Sequence, residues 1–159
     1  MVRALGKVHG RILDTTTGLG YAAIEAARLA SEVVTIEIDP AARKMAEENP
    51  WSRQLFSLPH IKLLVGDSHE LLPQFAEGEF AAILHDPPAI NIAGELYSLE
   101  FYRQAHRILG RRGRLFHYIG DPEKKSGART TSGVVRRLLE AGFSRVEKAP
   151  RAFGVVAYK

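Results

Sequence analysis

The chain has 159 residues, 45% of them hydrophobic and 25% charged, and no cysteine. That is enough chain for one proper core, and it excludes a disulfide scaffold, a thiolate metal site and a cysteine nucleophile. The net charge of +4 is uneven: residues 1–100 carry 8 Lys/Arg against 14 Asp/Glu, whereas residues 101–159 carry 14 against 4. Met1 to Gly10 lacks an apolar run of signal-peptide length, and nothing approaches the roughly 18 apolar residues of a membrane span. The sequence therefore reads as a soluble, cytoplasmic chain without a membrane partner, folded as one domain over residues 1–159.

Apolar runs of strand length alternate with amphipathic runs of helix length, which predicts an α/β domain around a parallel sheet. Gly10–Asp14 reads as the first strand, Thr15–Leu19 as a turn and Gly20–Ala30 as an Ala-rich helix. Glu32–Asp39 is β-branched and forms strand two. Asp39 is placed to cap a helix that starts at Pro40 and stops before Asn49-Pro50. Ile61–Val65 is strand three, followed by a short helix over Ser68–Leu72. Phe80–Leu84 is strand four and ends at the corner His85-Asp86-Pro87-Pro88. Glu95–Leu109 reads as one long helix, Gly113–Ile119 as strand five and Gly133–Ala141 as a helix closed by Gly142. Phe143–Tyr158 completes the chain as a β-hairpin. Asp121–Thr131, with Lys124, Lys125, Gly127 and Arg129, reads as an irregular and mobile insertion.

In an open α/β sheet the ligand sits at the carboxyl ends of the strands, where strand order reverses. Four predicted strand ends carry suggestive residues. In Asp14–Ala23, Gly18 and Gly20 let the backbone approach a ligand, and with Ala23 they satisfy GxGxxG/A. Glu37, at the end of strand two, suits the two hydroxyls of a ribose. Asp67 and Ser68, after Gly66, suit an adenine amino group or simply a helix cap. Asp86, followed by two prolines that fix φ, is an acid on a rigid corner, suited to orienting a nucleophile. A nicotinamide enzyme runs from an apolar strand straight into its first glycine, whereas here Asp14, Thr15, Thr16 and Thr17 intervene, which argues against NAD.

Taken in order, Asp14-x-x-x-Gly18-x-Gly20, Glu37, Gly66-Asp67-Ser68 and Asp86-Pro87-Pro88 resemble the motifs of the class I S-adenosylmethionine-dependent methyltransferases over nearly the whole chain. TIEID, DPPAINIAGELYSLEFYRQAHRIL and GRLFHYIGDP are most similar to a group of archaeal methyltransferases related to the spermidine-synthase-like branch. The resemblance implies a Rossmann-like, doubly wound, mostly parallel seven-stranded sheet with a C-terminal antiparallel hairpin and helices on both faces. It further implies S-adenosyl-L-methionine as cofactor. Asp14, Thr15, Thr16, Gly18 and Gly20 would hold its methionine part, Glu37 and Ile38 the ribose, and Gly66, Asp67 and Ser68 the adenine. Asp86 and Pro87 would face the methyl group. A homodimer is expected from the family, as is further chain ahead of the first motif.

Such a site needs orientation more than acid or base chemistry, and a base only if the nucleophile arrives protonated. Asp86 is the first candidate for that role, with His85 and His117 next. Ala89 stands where amino methyltransferases carry an aromatic, so a stacking face would have to come from Tyr97, Phe116 or Tyr118. The six histidines show no ligand spacing, and no metal is expected. Tyr97, Phe101 and Ile108 read as a core stripe. Arg103, Arg107, Arg111, Arg112 and Arg114 complement a helix dipole and suit phosphates. The basic C-terminal half would accordingly attract RNA, DNA or an acidic small molecule. Methyl transfer to a nucleic acid or small molecule is the first reading. An aminopropyl-transferring enzyme is the second, against which the basic half counts because a polyamine calls for acids, and a cofactor-binding module without catalysis is the third.

Overall fold

Arg11–Asp14 (β1) lies at the centre of a seven-stranded sheet of order β3-β2-β1-β4-β5-β7-β6. In this computed structural model residues 1–120 and 125–159 are described, with the side chains of 125–129 left out of account. Glu32–Glu37 (β2), Ile61–Val65 (β3), Phe80–His85 (β4) and Leu109–Tyr118 (β5) run parallel to β1. Arg145–Ala149 (β6) and Gly154–Tyr158 (β7) form the antiparallel hairpin, with β7 paired to β5.

The central strands are apolar on both faces, as parallel strands covered by helices must be. Leu13, Ile83 and Leu115 face one core with Phe101, Val134 and Leu138; Ile12, Leu84 and Phe116 face the other with Ala23, Ala46 and Leu55. Tyr21–Ala27 (α1), Pro40–Glu48 (α2) and Arg53–Ser57 (α3) cover the second core; Ser68–Leu71 (α4), Leu99–Ile108 (α5) and Lys125–Glu140 (α6) lie on the side of the first. Asp39 caps α2 as expected, its carboxylate accepting the Ala41 amide at 2.8 Å. Strand three and the hairpin also fall where the sequence places them.

Several boundaries differ for physical reasons. The helix expected over Glu95–Leu109 is broken: Gly94–Tyr97 is a 3-10 turn, and α5 starts after Ser98, whose hydroxyl accepts the Phe101 amide. Strand five begins at Leu109 rather than Gly113, because Leu109 pairs with Phe80 and the register then jumps to Ala82 with Arg114. The bulge in between is tight enough that a Cβ on Gly113 would lie 2.8 Å from the Gly110 carbonyl. α6 starts at Lys125, so Lys125–Thr131 is helical and not an irregular insertion; residues 121–124 of that expected insertion lie outside the described residues. α1 stops at Ala27, and α3 and the 3-10 turn Val2–Leu5 were not foreseen. Among the described residues no helix is long and apolar enough to cross a membrane.

Candidate functional site

β1 sits between β2 and β4, so strand order reverses at its carboxyl end and a crevice opens there. The crevice holds a cavity of ≈ 620 Å³ lined by Thr15–Ala22, Ile36–Asp39, Ala42, Gly66–Ser68, Asp86–Pro88, Ala93, Glu95, Leu96 and Met1. Four loops thus meet, as the four strand ends required. Thr15, Thr16, Gly18, Gly20, Glu37, Ile38, Gly66, Asp67, Ser68, Asp86 and Pro87 all line it.

Hydrogen bonds fix these loops to one another. Glu37 is buried, and its two carboxylate oxygens accept the Gly18 and Asp39 amides at 2.7 and 2.8 Å. Each oxygen keeps a further lone pair. Thr16 donates to the Asp86 carbonyl at 2.7 Å, and the buried Ser68 hydroxyl donates to the Thr15 carbonyl. Tyr97 donates to the Pro88 carbonyl at 3.0 Å, bracing the corner from behind. Asp67 caps α4 through Oδ1, which accepts the His69 amide at 2.8 Å and leaves Oδ2 for another donor. Gly20 has φ +78, and a Cβ there would lie 2.6 Å from Leu55 Cδ2. Gly20→Ala therefore combines left-handed strain with overpacking, and a loss of about 2 kcal/mol is expected by chemical denaturation.

Three expected site residues are not in the cavity. Asp14 is fully buried beneath the loop, where its Oδ2 accepts the Thr35 hydroxyl at 2.8 Å, Thr35 takes a bond from Thr17, and Oδ1 has no partner. Burial pushes its carboxyl up to about 7, against the Thr35 hydrogen bond and with the help of Asp86 and Glu37. His85, expected as a catalytic candidate, is also fully buried. Its Nε2 faces the Leu96 carbonyl at 2.9 Å and must carry the proton, so Nδ1 accepts from Thr15 at 2.7 Å. With burial dragging its pKa down to about 3, it is a neutral strut between the cofactor-type loop and the Leu96 segment. His117 is likewise buried, held well below its ordinary pKa by burial, and accepts from Tyr102 at 2.9 Å. Neither ring lines the cavity.

Asp86 is left as the one expected acid-base group at the cavity, its carboxyl raised by partial burial. Tyr97 and Phe116 are buried and Tyr118 is half-buried; none of the three lines the cavity, so none supplies the expected stacking face. No metal-binding cluster of His, Asp and Glu occurs among the described residues.

The electrostatics differ most from the sequence reading. Among the described residues the cavity lining holds Glu37, Asp39, Asp67, Asp86 and Glu95 and no Lys or Arg side chain, and the Met1 amino group at its edge acts on Asp86. Among the described residues, the basic side chains of the C-terminal half lie elsewhere. Arg111, Arg112 and Arg114 line a depression at the opposite, amino ends of the strands. Arg107 is consumed by the Leu72, Pro73 and Phe75 carbonyls, and Arg114 by those of Leu5 and Lys7. The objection that a basic half disfavours a cationic ligand therefore does not apply at the site.

Among curated proteins the chain is 46% identical over 150 residues to an uncharacterised protein of Methanocaldococcus jannaschii, spanning 94% of this chain and 52% of that one. It is 28% identical over 151 residues to polyamine aminopropyltransferase 2 of Streptomyces coelicolor, of which it spans 27%. The chain thus spans about half or less of the length of these relatives. Among solved structures, spermidine synthase in complex with the transition-state analogue AdoDATO superposes with a TM-score of 0.80 at 16% identity, over 99% of this chain and 56% of that one. A candidate S-adenosyl-L-methionine-dependent methyltransferase of Methanococcus maripaludis gives 0.65 at 16% identity, over 99% and 80%. The chain therefore shares the fold of spermidine synthase and of that candidate methyltransferase. The family model described as Conserved hypothetical protein 95 matches residues 3–98, and the chain belongs to that family.

Proposed function

We propose that the site transfers the methyl group of S-adenosyl-L-methionine to an amine nitrogen. The observation that carries this reading is a strand-end cavity lined, among the described residues, by five carboxylates and no Lys or Arg side chain, with one of those acids, Asp86, on a rigid diproline corner. Five carboxylates against the one Met1 amino group among the described lining residues favour cations, and both a sulfonium donor and an amine acceptor are cationic.

The residues present fit such a donor. Glu37 keeps a lone pair on each oxygen for a ribose diol, Ile38, 61% exposed, and Ala42 offer an apolar flank to a purine, and Asp67 keeps Oδ2 for an exocyclic amine. When bound, the donor supplies an electrophilic carbon open to direct displacement. The chain supplies the rest. Thr16 holds the Asp86 backbone, Pro87 and Pro88 fix the corner, and Asp86 takes the proton that an ammonium must lose before its nitrogen can attack. A raised carboxyl pKa makes Asp86 a better proton acceptor.

Aminopropyl transfer is the second reading, and a specific observation favours it. Among the described residues of the cavity no Lys or Arg side chain stands ready to pair the carboxylate of S-adenosyl-L-methionine, whereas a decarboxylated donor carries only cations. The similarity to polyamine aminopropyltransferase 2 and spermidine synthase supports it as well. Incubation with each donor separately and a panel of di- and polyamines, read by mass spectrometry, decides between them. A methylated amine from the first donor establishes methyl transfer, and an aminopropylated amine from the second replaces it. No product from either, with both donors bound, leaves a binding module.

Glu37→Ala removes the ribose acceptor together with the two bonds that tie Gly18 and Asp39, and hydrogen bonds to a charged group are worth about 1.5–3 kcal/mol each. A calorimetric titration is expected to show donor affinity reduced by about tenfold to a hundredfold. Unchanged affinity would remove Glu37 from the site.

A further inference from the structure

Three concave surfaces meet at Tyr21. The cavity just described shares Met1, Tyr21 and Ala22 with a groove lined by Arg3, Arg28 and Arg151. Tyr21 and Arg28 also line a depression with Trp51, Arg53 and Gln54. Trp51 is 81% exposed and Tyr21 is 49% exposed, large aromatics left in water beside four arginines. The only acid among the described residues on either surface is Glu25, already paired with Arg28 at 3.0 Å. Among the described residues Arg3, Arg53 and Arg151 make no ion pair.

The platform is built rather than incidental. Asn49 Oδ1 accepts the Trp51 amide at 3.1 Å, and Asn49 Nδ2 donates to the Tyr21 hydroxyl at 2.7 Å and to Ser52 Oγ at 3.0 Å. Ser52, fully buried, donates on to the Leu19 carbonyl at 2.7 Å. One side chain thus anchors the Trp51 backbone and the Tyr21 hydroxyl, and the same turn is tied to the loop that lines the cavity. Exposed aromatics on an anchored backbone, beside arginines of which three make no ion pair among the described residues, are the chemistry that binds unstacked bases on their faces and phosphates alongside. A protein partner would call for a contiguous apolar face, and a duplex offers no free base face to Trp51.

We propose that this surface binds single-stranded nucleic acid, with bases stacked on Trp51 and Tyr21 and phosphates on Arg3, Arg28, Arg53 and Arg151. The five carboxylates of the cavity repel phosphate, so the strand runs along the mouth and does not fill it. This surface is distinct from the basic depression at the other end of the sheet. There Arg11 is paired with Glu32 and Glu79, and no exposed Phe, Tyr or Trp is present.

Trp51 is the only tryptophan, so its fluorescence reports on its own face. The full chain, without any sulfonium donor, is titrated with an oligouridylate and with a duplex of equal length, and labelled-oligomer anisotropy follows binding across a salt series. The expected result is quenching of Trp51 by the single strand, weaker duplex binding, and a log–log salt slope of about −3 for four phosphate contacts. Trp51→Ala, at an exposed position, is expected to weaken binding about tenfold or more, and Trp51→Phe to restore most of it. Arg28→Ala with Arg53→Ala shallows the slope by about 1.4, while Arg111→Ala with Arg112→Ala leaves it unchanged. No binding at low salt, preference for duplex, or binding lost only with Arg111 and Arg112 would each overturn the proposal. Since no donor is present, the result stands apart from the alkyl-transfer reading.

Discussion

Asp86→Asn is expected to lower turnover by about 10²- to 10⁴-fold, the usual contribution of a positioned general base, while donor affinity changes only a few-fold. Asparagine keeps the size of the side chain and the backbone carbonyl that Thr16 holds, so the variant removes proton acceptance and little else. The pH dependence follows from the same group. Below its raised pKa the Asp86 carboxyl is protonated and cannot take the amine proton, so wild-type activity falls as pH drops through that value. The variant loses this acidic limb. His85 and His117 cannot substitute, because both are buried, neutral and committed to Leu96, Thr15, Tyr102 and Tyr118. Turnover of Asp86→Asn within tenfold of wild type would mean that the acceptor sheds its proton to water and that Asp86 only attracts it.

The parts of this site that local sequence announces are those set by chain geometry. A carboxylate at the end of a parallel strand has to stand at the crevice, which is why Glu37, Asp67 and Asp86 converge although they lie far apart in sequence. Asp39 before Pro40 is likewise a local signal, and the structure uses it as a cap. What escapes is whatever depends on tertiary partners. His85 at a strand end looks like a base, but only the packed structure shows both of its nitrogens engaged. Arg107 looks free for phosphate, yet it satisfies three carbonyls at the end of a neighbouring turn. The break at Ser98 lies inside an unbroken helical periodicity, and the part of α6 ahead of the expected helix at Gly133–Ala141 hides in a Ser-, Thr- and Gly-containing run of poor helix formers. The segregation of charge was visible as a count, but not its direction. The acids gather in the cavity, whereas Arg111, Arg112 and Arg114 sit at the far end of the sheet.

Asp14→Asn is expected to stabilise the fold at pH 8 and not at pH 4. The Asp14 carboxyl has a folded pKa of about 7, raised mainly by burial, whereas in the unfolded chain it titrates near the ordinary carboxylate value. Between these values the folded state holds the extra proton, so stability falls as pH rises from about 4 to 7 and then levels off, a loss of about 4 kcal/mol in all. Asparagine carries no charge to bury and can still accept from Thr35 at 2.8 Å through its carbonyl. Its amide would occupy the place of the unpaired Oδ1, an unsatisfied donor worth about 1–3 kcal/mol against it. The net gain at pH 8 is therefore about 1–3 kcal/mol, read as an increase in Tm of about 2–4 °C per kcal/mol. His85 and His117, with depressed pKa values, act in the opposite sense and withdraw stability as pH falls below about 6.5. They are common to both proteins, so the difference between the two melting curves across pH isolates Asp14, and a pH-independent difference would refute the assignment. A fold that keeps so costly a carboxylate beside Asp86 and Glu37 gains negative potential where the cavity takes its ligand. A cation bound there lowers the Asp14 pKa and expels its proton, so affinity for a cationic ligand should rise with pH through about 7 in the wild type and lose that dependence in Asp14→Asn.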